Sequence, residues 1–434
     1  MIVFILSTIA HIMEKYIVSV MQSFCEKYSL NNMAQYGFTK NKNTTSLLEE
    51  FSDYITAAIE NNNVVLALFL DLSKAFYTVE HNLLLKKLTK LGFRGRFYQF
   101  FVNYFSDRLQ CVKLEETCSE LQIIKFGVPQ GSTLGPILFN IYVSDLGLLP
   151  LKSKIFQYAD DTAIALEIQD YNTGYQSFQE DLSAIVDWFA HNLIFINTQK
   201  TKLMCFRNPH KALSLNNDIY LHSSKCSSCI CQPLQFEPVV KYLGIFFDQH
   251  LSWSDHVIYV CRKLRAVAAM MYNLRGKSPV NIRRTVYKSL AETIITYGIT
   301  LYGTCSDHKK QNINRIIKRI VNSIAYGTEW EHIETHEKYR ILGILPVHEL
   351  FKYTVLTRYY YSNNFKLLVK KDVSLRKTEK YVKPRVFTNY GTKARNYYVP
   401  QIFNELSEIL YDLKTRAVML REVRKWCSTL YCNV

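Results

Sequence analysis

Seven consecutive apolar residues, Val64 to Leu70, run directly into Asp71. An uninterrupted apolar run of strand length, without polar alternation, reads as a strand covered on both faces and therefore central in a sheet. A charged residue at its end must have a task. A second acidic feature has a similar setting. Ile155 to Tyr158 and Thr162 to Leu166 read as two apolar strands, and Asp160-Asp161 falls between them at the tip of a tight hairpin. Three carboxylates clustered at strand ends repel one another unless divalent cations neutralise them. Hard oxygen ligands of this kind suit Mg²⁺, which keeps waters and substrate phosphates as its other ligands. Two such ions, about 3.5 to 4 Å apart, clamp the attacking and leaving oxygens of an in-line displacement. Taken alone, an Asp-Asp pair in a hairpin is an ordinary surface turn, so the rest of the chain decides.

Leu47, Leu48, Phe51, Ile55 and Ile59 recur at helical spacing until Asn61-Asn62-Asn63 breaks the pattern. Further helices are expected over Leu83 to Leu91, closed by Gly92, over Phe97 to Phe105, over Leu134 to Leu146, and through Phe178, Leu182, Ile185 and Phe189. Gln110 to Leu114 and Leu121 to Val128 read as a hairpin leading into Pro129-Gln130-Gly131-Ser132. This order predicts an α+β fold with a small, mostly antiparallel sheet. After Trp253 the character changes to basic helices, Ile282 to Tyr297 stopped by Gly298 and Asn312 to Ala325, which predict a separate helical lobe.

Lysine and arginine number 53 against 37 acids, a formal +16, and the summed field favours a polyanionic partner or a membrane surface. Nucleic acid is the commoner partner, and a basic protein with solvated lysine faces is the bland alternative. No uncharged apolar run reaches spanning length. Met1 to Met13 lacks a basic lead and is interrupted by Ser7, Thr8 and His11, so it makes a poor signal peptide. A soluble intracellular protein of nucleus or cytoplasm is expected. The 11 cysteines, irregularly spaced, suit reduced thiols. Cys226, Cys229 and Cys231 with His222 would make a zinc set, yet no second Cys/His pair stands at finger spacing.

Three segments in order give the acidic turn its company: Phe69-Leu70-Asp71-Leu72-Ser73-Lys74-Ala75-Phe76, then Gly127-Val128-Pro129-Gln130-Gly131-Ser132-Thr133-Leu134-Gly135-Pro136, then Tyr158-Ala159-Asp160-Asp161. They resemble motifs A, B and C of reverse transcriptases, and their detail is similar to non-LTR (LINE-type) retrotransposons, jockey-like elements in particular. Gln35-Tyr36-Gly37-Phe38 resembles the family's fingers motif. Asn197 with Lys200-Thr201-Lys202 resembles motif D, and Tyr242-Leu243-Gly244 resembles the primer grip of motif E. The resemblance is strong from about Ile9 to about Val260 and fainter beyond.

The resemblance implies a right-hand polymerase with fingers, palm and helical thumb. Residues 1–70 would be fingers leading into palm, 71–250 palm with inserted fingers helices, and 251–434 a basic thumb and carboxy-terminal region. Asp71 and Asp160 would be the principal metal ligands, Asp161 the third carboxylate and Leu72 a carbonyl ligand, for two Mg²⁺ with Mn²⁺ as an alternative. Phe76 would be the steric gate against a ribose 2′ hydroxyl, where position alone allows a core aromatic. Gln130 and Gly131 would lie beside the nucleotide and template, with Lys200 and Lys40 near its phosphates. The implied partners are an RNA template, a DNA primer and dNTPs.

The chain departs from the family pattern at Tyr77, where aspartate is usual, and at Thr39, where arginine is usual and Lys40 follows. Leu6 to Ile17 resembles only the second half of the first fingers motif, and no endonuclease, CCHC or RNase H pattern accompanies it. One fragment of a longer element, or a truncated copy, is therefore expected. These departures keep a second reading open, a retroelement product that binds nucleic acid without polymerising.

Overall fold

The computed structural model describes residues 7–30, 32–106, 109–129, 131–211, 217–224, 226, 231–362, 381–410 and 413–432. They divide into two units. The first comprises Met1–Leu47, Asn63–Cys205 and His210–Glu237, and the second comprises Leu48–Asn62, Phe206–Pro209 and Pro238–Val434.

The first unit is built on a four-stranded sheet. Its order is Lys154–Tyr158, Asp161–Ile168, Val64–Leu70, Lys202–Phe206. The apolar run Val64–Leu70 is buried along its whole length, as an inner strand requires. It pairs antiparallel with Asp161–Ile168 in a register that runs from Val64 opposite Ile168 to Leu70 opposite Thr162. Side chains alternate across a strand, so Val64, Leu66, Leu68 and Leu70 face one core. There they meet Leu84 of helix His81–Lys90, Phe101 of Gly95–Phe105, Leu138, Phe139 and Tyr142 of Gly135–Tyr142, and Phe178, Leu182 and Phe189 of Tyr171–His191. Helix Thr8–Lys27 adds Ile17 and Met21 to the same core.

Three expectations are corrected here. The hairpin expected over 110–128 consists of two short ladders, Leu109–Gln110 with Gln122–Ile123 and Lys113–Leu114 with Thr117–Cys118. It stops before Val128 because Gly127, at φ +91°, turns its N–H onto the Val79 carbonyl at 2.7 Å. The helix expected to reach Leu146 ends at Tyr142, and a tighter 3₁₀ segment, Ser144–Leu148, follows. The helix expected over 282–297 is broken into Val280–Val286, a π-helical turn Tyr287–Glu292, and Thr293–Thr296. That wide turn keeps Tyr287, Ala291 and Ile295 buried in succession.

In the second unit the hairpin Val239–Tyr242 and Ile245–Asp248 packs with helix Thr44–Glu60. The ring of Phe51 lies 5.8 Å from Tyr242, 5.4 Å from Phe247 and 6.0 Å from Phe206. Helices Ser254–Asn273 and Asp307–Ala325 pack against each other through Leu264, Val267, Ile313, Ile317 and Ile320. Among the described residues no helix is long and apolar enough to cross a membrane.

One buried acid ties this unit together. Glu49 is 2% exposed and accepts from Arg358 Nη2 at 2.9 Å and from Arg395 Nη1 at 3.3 Å. Arg395 also donates from Nε to Asp53 at 2.7 Å. Removing the charge of a buried ion pair strands its partners in low dielectric. Glu49→Gln is therefore expected to destabilise the fold by about 3 kcal/mol, read as a lower midpoint in thermal unfolding. An unchanged midpoint would show that these arginines are satisfied elsewhere.

Candidate active site

Asp71 follows the inner strand directly. The ladder ends at Leu70 opposite Thr162, so Asp71 leaves its strand beside the start of Asp161–Ile168, near enough for its charge to act on Asp161. Asp161 was expected at the tip of the hairpin and is instead the first residue of its strand, paired with Tyr158. Ala159 and Asp160 alone make the turn, with Ala159 left-handed at φ +56°.

The three carboxylates feel one another. Burial, and then the negative charge of Asp71, raise the Asp160 carboxyl above the ordinary aspartate range. Asp161 is pushed up to about 6, first by the partial desolvation of its carboxyl and then by Asp160 and Asp71. Asp161 is nonetheless an exposed residue, so solvent screens much of this repulsion. Among the described residues no three His, Cys, Asp or Glu side chains converge closely enough to hold a metal ion as they stand. The donor set itself fits a hard divalent cation, because the carboxylates repel and cationic help is weak. Lys200 reaches Asp71 only at 3.9 Å and is 70% exposed, so its ammonium is free to move to another anion.

The loop that resembles motif D wraps the backbone of Asp71. Asn197 N–H donates to the Asp71 carbonyl at 2.8 Å, and Asp71 N–H points to Thr201 Oγ1 at 3.4 Å. Thr201 Oγ1 in turn donates to the Asn197 carbonyl at 2.9 Å. Leu72 is buried and bridges Ile196.

Phe76 is half-buried in the turn Ala75–Tyr77, which also holds Tyr77. Its ring stacks on Phe139 at 4.5 Å, with Phe38 edge-on at 6.4 Å. Its carbonyl accepts from Val128 N–H at 2.8 Å, so the segments resembling motifs A and B are joined backbone to backbone. A Cβ on Gly127 would lie 3.0 Å from the Tyr77 Cα, and that crowding explains the glycine. Gly131 is exposed at φ +107°. Gln130 lies outside the described residues, as does Cys229 of the cysteine cluster. Lys40 is exposed and pairs with Glu26 at 3.3 Å. Thr39 donates its hydroxyl to the Gly37 carbonyl at 3.2 Å. Tyr242, Leu243 and Gly244 belong to the second unit, where Leu243 and Gly244 form a two-residue turn with positive φ and Tyr297 donates to the Leu243 carbonyl.

Glu14 was not singled out in the sequence. Only 5% exposed, it accepts from Ser132 Oγ at 2.9 Å, Thr133 N–H at 2.8 Å and Tyr104 Oη at 3.1 Å. It thereby anchors the loop after Gly131. Its signal was a lone acid on the face that buries Ile17, Met21 and Cys25.

The family described as reverse transcriptase (RNA-dependent DNA polymerase) matches residues 1–247. A probable RNA-directed DNA polymerase from transposon BS of Drosophila melanogaster is 27% identical over 329 residues, covering 72% of this chain and 34% of the relative. The RNA-directed DNA polymerase from the mobile element jockey of Drosophila melanogaster is 27% identical over 325 residues, with coverage of 72% and 34%. The chain thus spans about a third of the length of these curated relatives. Among solved structures, a telomerase from Candida albicans in complex with a fragment of telomeric RNA aligns at a TM-score of 0.42 and 12% identity. That alignment covers 78% of this chain and 58% of the telomerase chain.

The raised carboxyl of Asp161 has a pH signature. A carboxyl raised in the folded state binds its proton there first, so folding gains stability as pH falls through about 6 toward the ordinary aspartate range. Well above pH 6 the Asp161 carboxyl is ionised and the metal-free chain carries its desolvation and the repulsion together. Asp161→Asn is expected to raise the thermal midpoint relative to wild type at pH 7.5, and the gap should close near pH 4. A gap independent of pH would show that the Asp161 carboxyl is not raised in the folded chain.

Proposed function

Because the chain belongs to the reverse transcriptase (RNA-dependent DNA polymerase) family, we propose that it is the polymerase region of a non-LTR, jockey-like retrotransposon protein. Its reaction is template-directed addition of dNTPs to a primer 3′ hydroxyl, with RNA as template. The observation that carries this reading is the pairing of the two inner strands, which brings Asp71, Asp160 and Asp161 to one end of a buried sheet and gathers negative charge there. Asp71, Asp160 and Asp161, with the Leu72 carbonyl, would hold two Mg²⁺ or Mn²⁺ ions, which supply in-line orientation and stabilise charge on the transferring phosphoryl group.

The remaining residues bind and orient. Phe76, braced by Phe139, would stand where a ribose 2′ hydroxyl must pass, and this selects deoxynucleotides. Gly131, and Gln130 beside it, would let backbone approach the nascent base pair. Lys200, close to Asp71 yet free to swing, is suited to neutralising the leaving pyrophosphate. Lys40 would take the triphosphate once it leaves Glu26. Tyr242, Leu243 and Gly244 would support the primer strand. Arg265, Arg315 and Arg319 line grooves of about 620 and 340 Å³ in the second unit, with Tyr272 beside them. Cations with an aromatic face suit a nucleic-acid backbone.

The test is primer extension by the purified chain on an RNA template with Mg²⁺, wild type beside Asp160→Asn. Wild type is expected to add dNTPs, and Asp160→Asn to lose at least about a hundredfold in rate while retaining RNA binding. Equal activity in the two proteins would refute the assignment of the acidic turn.

A further inference from the structure

The segment that resembles the fingers motif touches the acidic turn directly. Tyr36 N–H donates to the Gln157 carbonyl at 2.8 Å, and Gln157 N–H donates to the Ala34 carbonyl at 2.9 Å. Gly37 sits so close behind the turn that a Cβ there would lie 2.3 Å from the Ala159 nitrogen. Between these contacts stands Gln35, 2% exposed. Its Oε1 accepts from Ala159 N–H at 2.9 Å and from Gly37 N–H at 2.8 Å, and its Nε2 points to the Ala159 carbonyl at 3.4 Å.

Ala159 needs this help. A left-handed non-glycine residue costs roughly 1 to 2 kcal/mol, and the two-residue turn offers its N–H and carbonyl no partner within the hairpin. One side-chain amide has a donor and an acceptor set apart as in a peptide group, so Gln35 can serve both backbone groups of a single residue. It is also neutral, so it fixes the turn without adding charge beside Asp160 and Asp161. On its other side the segment is held by Asn140, whose Nδ2 donates to the Gly37 carbonyl at 2.8 Å. Asn140 belongs to the helix Gly135–Tyr142 that carries Phe139, the ring stacked on Phe76.

We propose that Gln35 is a positioning residue for the reaction. It holds Ala159 left-handed so that Asp160 and Asp161 face Asp71, and it ties that geometry to Phe38, Thr39 and Lys40, which follow it in the chain. The proposal rests on the polymerase reading above for its substrates, while the clamp on the turn stands on the hydrogen bonds alone.

The test uses the full chain with Gln35→Met, which keeps the volume and loses all three hydrogen bonds, and Gln35→Glu, which keeps an oxygen to accept from the Ala159 and Gly37 N–H groups. Primer extension gives kcat and the KM for dNTP. Electron paramagnetic resonance of free Mn²⁺, without nucleotide, gives ion affinity independently of turnover. Gln35→Met is expected to lower kcat about 10- to 100-fold, to change KM less than about threefold, and to weaken Mn²⁺ binding about tenfold. Gln35→Glu is expected to retain more of kcat than Gln35→Met. A merely structural role would lower the thermal midpoint and the fraction of active molecules, with kcat per active site and Mn²⁺ affinity unchanged, and that result overturns the proposal. If wild type synthesises nothing while Mn²⁺ affinity still falls in Gln35→Met, the clamp stands and the polymerase reading fails. Wild-type synthesis with an unaltered Gln35→Met has the reverse meaning.

Discussion

The antiparallel pairing of Val64–Leu70 with Asp161–Ile168 is the constraint on which the site depends. A slip of one residue would turn every side chain of the inner strand to its other face and carry Asp71 away from the start of the neighbouring strand. The same register fixes where both strands end. Asp71 and Asp161 therefore come to the same rim of the sheet, and Asp160 lies in the turn between Tyr158 and Asp161. Repulsion among them is the energetic consequence, and a divalent cation is the simplest way to relieve it.

Around this rim the chain places supports that have no charge to add. Thr201 and Asn197 fix the backbone of Asp71, and Gln35 fixes that of Ala159. Glu14 is the exception, and it is turned away onto Ser132 and Thr133, at the loop following Gly131. Segments far apart in sequence are thus joined by short hydrogen bonds, from 35 to 159, from 71 to 197 and from 14 to 132. This arrangement explains why the site is spread over residues 14–201 of a unit with one continuous core.

Much of this was legible in the residues. The apolar run Val64–Leu70 announced the inner strand to the residue, and the helix through Leu47, Phe51 and Ile55 was evident from its period. Motif order announced the family, because Asp71, Gly131 and Asp160-Asp161 together are far more specific than any one alone. The register was not legible, since a strand buried on both faces has no polar alternation to mark its partner. The displacement of Asp161 from turn to strand followed from that same gap. Tertiary contacts decided the rest: Gln35 stood in a recognisable motif, but its hold on Ala159, like the role of Glu14, shows only once the chain folds. The π-helical turn at Tyr287–Glu292 was hidden because its buried side chains still recur every four residues.

The central claim is that Asp71, Asp160 and Asp161 make a single divalent-ion centre. Crystals of the full chain soaked in Mn²⁺ and measured at the manganese absorption edge test it most directly. The account predicts two anomalous peaks about 3.5 to 4 Å apart, shared by the carboxylates of Asp71 and Asp160, with Lys200 released from Asp71. Manganese bound by Asp160 and Asp161 alone, with Asp71 still facing Lys200, would contradict it.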